Sequence, residues 1–404
     1  MRLTVVWHKP CWRAQQSPTG FAVRGCLGHP EFGGLSRQVE ALSELFDATR
    51  IVAPCCAVTD RSGETAIAGK NISVIPLTWL PRSPWLTWLM LPFWLGRNGF
   101  ALVRETLRAD AVLAFIPSPI GIIGLVLALA LRKPLLTRQL NNWSEPRFFW
   151  RLERALLEKV AGGRNVVFAT GDSDEPPSHR NREIRWIFST MVSERQLSAN
   201  AFARNRATGG RARLILVGVE PDTAGTEILL RALPILAREF PGVTLDIVGD
   251  RAAFAKLDQL ASELHLAGRV KLYGSMSHER LLELLQQADL FCLPADETEG
   301  FRQAVHEALA CGLPVIATQA SIGPMLMGQG CGVVLQEGTP ERFAAAVRDC
   351  LSDSARYRAM SLAALRKARQ YSFERWRVII RERLEHAWGP LQSMPVRVPV
   401  ETRV

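Results

Sequence analysis

The chain has 404 residues, of which 48% are hydrophobic and 22% charged, and its formal net charge is +10. This length predicts two domains of about 150–200 residues each, and the composition excludes a disordered or low-complexity chain. The eight cysteines are scattered without a CxxC spacing. This spacing argues against a disulfide or zinc framework and predicts free thiols in a reducing cytoplasm.

Most of the positive charge lies in the first half of the chain. Residues 1–190 contain 23 Lys and Arg against 15 Asp and Glu, whereas the remainder contains 26 against 24. A basic half suits an anionic partner such as lipid headgroups, phosphates or nucleic acid, although a generally basic proteome would give the same excess. Because no RRM, KH or helix-turn-helix pattern is present, we expect no nucleic-acid partner.

In the first half, short apolar strands alternate with helical patterns. Residues 1–7 are a predicted strand that His8 ends before any signal-peptide apolar region forms. Gly33 and Gly34 precede a predicted helix whose apolar residues repeat at helical spacing. Further strands are predicted at 51–53, 72–77, 111–115, 135–137 and 166–169, with a helix at 120–131. Strands that alternate with helices predict a parallel sheet covered on both faces.

Two apolar segments raise the question of a membrane. Residues 111–131 could span a bilayer by length, but Pro117 and Pro119 interrupt them and favour a strand–turn–helix unit. Residues 79–97 are rich in tryptophan, contain no acid and include Arg82 and Arg97. Tryptophan and arginine together suit a membrane interface, and a helix buried against the sheet is the alternative. We therefore predict a peripheral contact of residues 79–97 with the inner face of the membrane.

Residues 171–210 interrupt the alternation, which resumes at Arg213. We place the linker between two halves in this stretch. The predicted domains are residues 1–190 and residues 205–372, followed by a helix at 373–388. The predicted fold class is α/β, with two Rossmann-like, doubly wound domains.

The second half alternates more regularly than the first. Strands are predicted at 214–217, 244–248, 270–273, 290–293, 315–317 and 332–335, and helices at 226–240, 254–264, 277–287 and 303–310. A doubly wound domain of this kind binds its ligand at the carboxyl ends of its strands.

The segment from Leu293 to Thr318 carries the most chemical information. It is predicted to be a strand end, a loop that holds Glu299 and Gly300, and a helix that includes Glu307. The N-terminus of a helix presents unpaired N–H groups and a positive dipole to a phosphate. Carboxylates beside such a crevice can accept hydrogen bonds from sugar or ribose hydroxyls, and solvated or helix-capping glutamates are the alternative.

Glu299 and Glu307 are separated by seven residues within the sequence EGFRQAVHEALACGLPV, and the pattern Tyr371-Ser372-Phe373 precedes the last helix. Over about residues 214–388 this sequence resembles the retaining, family-four glycosyltransferases of the GT-B fold. The resemblance implies a hexosyltransferase of polysaccharide biosynthesis with two domains that face each other across a cleft. Such an enzyme moves a sugar from a nucleotide-diphosphate sugar, without a metal or other cofactor, to a membrane-associated, polysaccharide or glycolipid acceptor. By this resemblance, residues 1–190 would bind the acceptor, residues 205–372 would bind the donor, and the helix at 373–388 would cross back to the first domain.

The resemblance also implies roles for individual residues. Glu299 would contact the transferred sugar and Glu307 the donor ribose. The remaining donor-side positions lie in the glycine-containing loop and after a strand end, namely Gly274, Gly300, Phe301 and Gln303.

Two cations of the family pattern are missing. Val219 and Ala224 stand where the family has an arginine and a lysine that neutralise the donor diphosphate. Since a departing nucleoside diphosphate needs positive charge, we expect Arg302 and then Arg251 to supply it. Solvent-facing arginines are the alternative for both positions.

The first half offers fewer site residues. Gly33 and Gly34 resemble the family's first glycine-rich loop, which faces the acceptor, although Gly-Gly also simply makes a turn. Arg138 follows a predicted strand where family members often carry a histidine. It could bind an acceptor phosphate such as that of a lipid pyrophosphate, or form a plain salt bridge.

Other functions are weaker alternatives. No DxD in a suitable loop, HExxH or Cys/His cluster is present, so no metal is expected. An epimerase would need an acid/base set that cannot be assigned. A non-catalytic GT-B protein that binds a nucleotide-sugar or a partner enzyme is favoured by the residues at Val219 and Ala224 and opposed by the presence of both Glu299 and Glu307.

Overall fold

The computed structural model describes most of the chain from Met1 to Leu391. Outside the described part are residues 8–10, 14–18, 20, 25–32, 56–63, 68, 70, 80–83, 141–142, 144–147, 172–174, 189–191, 200–209, 220–223, 250, 275, 277, 295–298, 320–329 and 392–404. A few side chains within helices and strands, including those of 299–303, are also outside it. The chain divides into two compact units, which are described separately.

The first unit comprises residues 1–24, 35–188 and 376–404. Its strands are β1 (Arg2–Val6), β2 (Cys11–Arg13), β3 (Phe21–Arg24), β4 (Ala48–Pro54), β5 (Glu64–Ala66), β6 (Ile72–Leu77), β7 (Ala111–Ile116), β8 (Leu135–Gln139), β9 (Asn165–Thr170) and β10 (Arg185–Ile187). The helices of this part of the chain are α1 (Gly33–Ser43), α2 (Pro84–Arg108), α3 (Pro119–Ala130) and α4 (Phe148–Val160).

Seven of these strands form one parallel sheet in the order β10-β9-β8-β7-β1-β4-β6. Every residue of β7 is buried, as expected for a parallel strand with both faces covered. The strand–turn–helix prediction for residues 111–131 is confirmed. Ser118 caps α3 by accepting a hydrogen bond from the Gly121 backbone at 2.8 Å, and Pro119 occupies the first helical turn.

Glycine is required where α3 crosses the sheet. A Cβ added at Gly124 would lie 2.7 Å from a methyl group of Val6 on β1. The missing side chain therefore lets α3 pack directly on the central strand, in contact with the core that includes Leu125 and Ala128.

Three parts of the first half differ from the sequence prediction. A small antiparallel sheet, β2-β3-β5, was not predicted, because strands of three or four residues give no clear periodicity. Helix α1 begins at Gly33 rather than after a Gly33-Gly34 loop. Residues 171–210 are not wholly irregular, because β10 and a short helix, Glu194–Ala199, lie within them.

The second unit comprises residues 25–34 and 189–375. Its further helices are α5 (Glu194–Ala199), α6 (Ala224–Leu236), α7 (Phe254–Glu263), α8 (His278–Gln287), α9 (Glu299–Ala310), α10 (Pro340–Ser352) and α11 (Ser354–Arg369), with a single 3-10 turn at Arg251–Ala253. Its strands are β11 (Arg211–Val219), β12 (Gly242–Gly249), β13 (Val270–Tyr273), β14 (Leu290–Leu293), β15 (Val315–Thr318) and β16 (Gly332–Leu335).

These six strands form a second parallel sheet in the order β13-β12-β11-β14-β15-β16. One continuous core of leucine, isoleucine, valine and alanine side chains fills the space between this sheet and its helices. The predicted bounds of β13, β14 and β16 agree with the structure. The α/β fold class with two parallel sheets is confirmed.

The last described helix, α12, spans Phe373–Trp388. From Trp376 onward it belongs to the first unit, where Trp376, Ile380 and Leu384 are buried. Its exposed edge forms ion pairs within that unit, between Arg377 and Glu44 and between Arg383 and Glu183. The Trp388 indole donates a hydrogen bond to the carbonyl of Arg164 at 2.8 Å. The helix thus contributes three apolar side chains to the core of the first unit.

Within the ranges that the structure describes, no helix combines the length and the hydropathy that crossing a membrane requires.

Candidate functional site

The second unit has a topological switch point beside its first strand. From β11 the chain adds β12 and β13 on one side, and β14, β15 and β16 on the other. In open parallel sheets, ligands bind at the carboxyl ends of the strands where the order reverses. The candidate site therefore lies at the carboxyl ends of β11 and β14, and helix α9 follows β14 directly in the chain.

Helix α9 begins earlier than the sequence predicted. It starts at Glu299, so Glu299, Gly300, Phe301 and Arg302 lie in its first turn rather than in a loop before Gln303. A glutamate in the first turn is favoured by the positive end of the helix dipole, and a glycine is tolerated there. The backbone N–H groups of this turn are the unpaired donors of the helix, so the phosphate-binding prediction moves to the helix terminus itself.

Glu307 is fully buried on α9, two turns after Glu299. Its Oε1 atom lies 3.3 Å from Nδ1 of His278, the first residue of α8. A carboxylate removed from water needs polar partners, since burying an uncompensated charge is costly. The structure thus places Glu307, the residue predicted to bind the donor ribose, beside a histidine that the sequence did not predict. No local signal could have identified His278, because the contact joins two helices that are 29 positions apart in the sequence.

A second histidine, His306, lies beside Glu307 on the same helix and is also buried. Its ring packs edge-on against Tyr371 with 4.5 Å between ring centroids, and the Lys367 ammonium lies 5.1 Å from the centroid of the same tyrosine. Burial, assisted by the positive charge of Lys367, lowers the pKa of His306 to about 3. His306 is therefore a neutral packing residue at ordinary pH, and it fixes the helix that carries Glu307.

Two other predicted donor-side residues meet at the ends of β12 and β13. Arg251 is exposed in the 3-10 turn that follows β12, and Gly274 follows β13. A Cβ added at Gly274 would lie 2.6 Å from Nε of Arg251. The arginine therefore extends across the glycine, and any side chain at position 274 would displace it.

The two positions at which this chain lacks the arginine and the lysine of the family pattern lie on either side of one loop. Val219 is the last residue of β11 and Ala224 the first of α6. Residues 220–223 and the side chain of Arg302 lie outside the described residues. The replacement of the missing cations by Arg302 and Arg251 stays a prediction.

In the first unit, Arg138 is a buried cation on β8, with 2% of its surface exposed. Its guanidinium donates to the Gln38 side-chain oxygen at 3.2 Å and lies 5.9 Å from the ring of Trp376. Gln38 is on α1, the helix that begins with Gly33 and Gly34. Three elements thus hold Arg138, although its predicted role toward an acceptor phosphate, like that of the two glycines, stays a prediction.

The described residues contain no group of three or more His, Cys, Asp or Glu side chains that could hold a metal ion. The absence of a metal cofactor from the reaction also stays a prediction.

Comparisons with known proteins identify a family match within the second half of the chain. Residues 198–367 match the family "Glycosyl transferases group 1". The chain is 31% identical over 163 residues to the D-inositol 3-phosphate glycosyltransferase of Segniliparus rotundus, covering 39% of this chain and 36% of that protein. It is equally identical, over 159 residues, to a GDP-mannose-dependent α-(1-6)-phosphatidylinositol monomannoside mannosyltransferase of Mycolicibacterium smegmatis, covering 38% of this chain and 41% of that protein.

The aligned part therefore spans less than half the length of these curated relatives. A solved structure extends the likeness of the fold to nearly the whole chain. HepE of Anabaena, crystallised in complex with UDP and glucose, superposes with a TM-score of 0.63 and 18% identity over 95% of this chain and 99% of its own.

The superposition concerns the fold alone: the chain has two parallel α/β units, as the GT-B glycosyltransferases do. The resemblance to glycosyltransferases that the sequence predicts is thus confirmed over residues 198–367.

Proposed function

We propose that this protein is a retaining glycosyltransferase that moves a hexosyl group from a nucleotide-diphosphate sugar to a hydroxyl of a glycan or lipid-linked acceptor. One observation carries the proposal. A fully buried glutamate, Glu307, lies on the helix that follows the switch-point strand, within the segment that matches glycosyltransferases group 1.

The reaction breaks the bond between the anomeric carbon and the oxygen of the β-phosphate, and the nucleoside diphosphate leaves with the electron pair. An acceptor hydroxyl forms the new bond on the same face of the sugar, and its proton passes to the departing phosphate oxygen. The N–H groups at the start of α9 would stabilise the developing negative charge, because fixed donors act where charge forms without reorganisation.

Each acidic and basic side chain has a separate task in this proposal. Glu307 would accept hydrogen bonds from the ribose hydroxyls, since its carboxylate is fixed by burial and by His278. Glu299, one position before Gly300 in the first turn of α9, would contact the transferred sugar. Arg302 and Arg251 would supply the positive charge that Val219 and Ala224 do not, since arginine can donate two hydrogen bonds to one phosphate.

The relatives support the donor and acceptor classes. One is named for its use of GDP-mannose and a phosphatidylinositol mannoside, and HepE was crystallised with UDP and glucose. A nucleotide-sugar donor and a lipid-linked or glycan acceptor fit these relatives. We further propose that the reaction takes place in the cytoplasm and needs no metal cofactor.

The first experiment is a donor screen. UDP, GDP, ADP and their hexose derivatives would be compared by the rise in unfolding temperature they cause, since a ligand that binds only the folded state stabilises it by mass action. The donor that binds would then be tested for release of nucleoside diphosphate in the presence of lipid-linked and glycan acceptors. The proposal fails if no nucleotide stabilises the protein.

Arg302 provides the second experiment. Arg302→Ala should lower kcat/KM at least tenfold, or about 1.4 kcal/mol of transition-state stabilisation. Arg302→Lys should recover only part of the kcat/KM that Arg302→Ala loses, because lysine keeps the charge and loses the bidentate geometry. Arg280→Ala, a change to an exposed arginine paired with Glu283 on α8, is the control. Full activity in Arg302→Ala would remove this arginine from the mechanism.

A non-catalytic nucleotide-sugar-binding protein is the second candidate, favoured by the absence of cations at Val219 and Ala224. It predicts that a nucleotide stabilises the protein, that Arg302→Ala leaves this stabilisation intact, and that no donor is consumed with any acceptor.

A further inference from the structure

Helix α2 of the first unit carries a row of exposed apolar side chains. Leu89, Phe93, Phe100, Val103 and Leu107 are 64%, 82%, 77%, 37% and 53% exposed. Phe93, Phe100 and Leu107 are spaced by seven residues, so they lie on one face of the helix. From Leu89 to Leu107 the row extends about 27 Å at 1.5 Å per residue. We call these five residues the α2 stripe.

The opposite face of α2 is fixed against its own unit. Trp94 and Leu102 are buried, and the Trp94 indole donates to the carbonyl of Thr78 at 2.8 Å. Buried Asn98 donates to the Thr78 hydroxyl at 2.6 Å. Because these contacts fix the rotation of the helix, the α2 stripe cannot turn inward. The predicted membrane contact of residues 79–97 stays a prediction, but Trp94 is excluded from it because it points into the core, and the exposed apolar face continues to Leu107.

Arginines line the same exposed side of the helix. Arg97 and Arg104 each follow a stripe phenylalanine by four residues, one helical turn, and Arg108 follows Arg104 by another. The Arg104 guanidinium lies 6.0 Å from the ring centroid of Phe100. The positive row thus runs alongside the apolar row.

The one acid of α2 does not offset this charge. Glu105 is fully buried, and its carboxylate contacts Arg50 at 2.8 Å, Arg104 at 2.9 Å and Arg108 at 3.7 Å. One negative charge therefore faces three positive ones, and it lies on the inner side of the helix. The exposed face of α2 carries arginines and apolar side chains and no carboxylate.

The end of α2 adds a further cation. Lys133, which follows α3, donates from Nζ to the backbone carbonyls of Leu107 and Ala109 at 2.9 and 2.7 Å. An ammonium is thereby held beside the last residue of the α2 stripe, with exposed Arg132 next to it in the chain.

We propose that the α2 stripe docks on an anionic bilayer, with the helix lying in the plane of the membrane interface. An apolar row bordered by arginines matches such a surface, because the apolar side chains enter the acyl boundary while the cations contact lipid phosphates. Water is a poor environment for so long an apolar row, and large exposed apolar patches on soluble proteins mark interaction surfaces. The use of this docking to reach a lipid-linked acceptor rests on the proposed function, whereas the docking itself does not.

The test is co-sedimentation of the full chain with vesicles. We expect binding to vesicles of equal parts phosphatidylcholine and phosphatidylglycerol, and at least tenfold weaker binding to phosphatidylcholine alone. Phe93→Ser combined with Phe100→Ser should lower the partition coefficient for anionic vesicles at least tenfold, and Arg97→Glu should lower it about threefold or more. Leu362→Ser, which changes a 42% exposed leucine on α11, is the matched control and should bind as the parent does.

Circular dichroism and the unfolding temperature would verify that each variant is folded, and nucleotide binding would be measured in parallel. Intact nucleotide binding with lost vesicle binding in the double variant separates this proposal from the proposed function. The docking proposal is overturned if the folded parent does not bind anionic vesicles, or if the double variant binds them equally well. It is also overturned if the parent is a dimer that the double variant dissociates and neither binds vesicles, since the α2 stripe would then contact a second copy.

Discussion

The two units are both parallel α/β structures, and the predicted site residue that each one buries differs in charge. The first encloses the guanidinium of Arg138 among a glutamine of α1 and a tryptophan of α12. The second encloses the carboxylate of Glu307 beside a histidine of α8. A buried ion pair is weak evidence for stability, because desolvation offsets much of the attraction. That each unit retains this buried charge for an anionic or hydroxyl-rich ligand rather than for its core stays a prediction, which the variants below test.

The core of the first unit depends on α12, and this dependence gives the largest expected effect. Trp376→Ala should lower the free energy of unfolding by about 3–5 kcal/mol, because it removes a large, 1% exposed side chain. Urea unfolding would measure it. Ile379→Ala, a change to a 39% exposed residue on the same helix, should cost less than about 0.5 kcal/mol. If Trp376→Ala and Ile379→Ala lower the free energy of unfolding equally, α12 does not complete the core of the first unit.

The buried charge of the second unit predicts a loss of nucleotide affinity. Glu307→Gln keeps the shape of the side chain and removes its charge, so the dissociation constant of the nucleotide should rise tenfold to a hundredfold, or about 1.4–2.8 kcal/mol. Glu299→Gln is the matched variant, and it should lower turnover while the affinity changes less than about threefold. Calorimetric titration with the donor found in the screen would measure both, and unchanged affinity in Glu307→Gln would contradict the ribose assignment.

The neutral histidine beside Glu307 predicts a pH dependence. The pKa of His306 is lowered to about 3 by burial, against about 6.5 in an unfolded chain. Between these values the unfolded state binds more protons, so stability falls as the pH drops below about 6.5 and the loss near pH 5 should be about 2 kcal/mol.

The loss of folding stability between pH 7.5 and pH 5 should be smaller in His306→Gln, because glutamine cannot take up a proton in either the folded or the unfolded state. The free energy of unfolding measured at pH 7.5 and at pH 5 gives the comparison. His179→Gln, a change to an exposed histidine, should keep the full pH dependence of the parent. If the free energy of unfolding falls equally with pH in His306→Gln and in the parent, His306 is not the source of this pH dependence.

Substitution of Arg138 gives the smallest expected effect. It tests most directly whether the buried charge of the first unit binds a ligand or stabilises the structure. Arg138→Met removes a buried charge and keeps an unbranched side chain, so stability should be unchanged or slightly higher. If the guanidinium binds an acceptor phosphate, kcat/KM should fall about tenfold, or about 1.4 kcal/mol. Arg132→Met, a change to an exposed arginine, is the control. Lower stability with full activity would make Arg138 a structural cation instead.

The second unit was predicted well because its signals are local. The bounds of β13, β14 and β16 follow from short apolar runs that end at polar or turn-forming residues. Helix α12 was likewise predicted with the bounds that the structure shows. The early start of α9 was missed, because a glycine in second position suggests a loop by sequence although a first helical turn accepts it.

The first unit was predicted less completely. Helix α2 continues past Pro92, a residue that usually ends a helix, and no local pattern predicted that it extends to Arg108. Tryptophans at 79, 85, 88 and 94 suggested one membrane-facing surface, yet Trp94 is buried and the exposed row continues beyond it. Which side of an amphipathic helix faces the core depends on its neighbours, and periodicity alone does not specify them.

The sequence by itself determined the α/β class, the alternation of strands and helices, and the resemblance of the spacing of Glu299 and Glu307 to a glycosyltransferase pattern, because each of these depends on a few tens of consecutive residues. Only the tertiary structure decided that Glu307 meets His278, that Arg138 is enclosed by α1 and α12, and that the α2 stripe stays exposed. These facts join side chains from distant segments. Their proximity is set by the packing of whole elements, which the order of residues does not display locally.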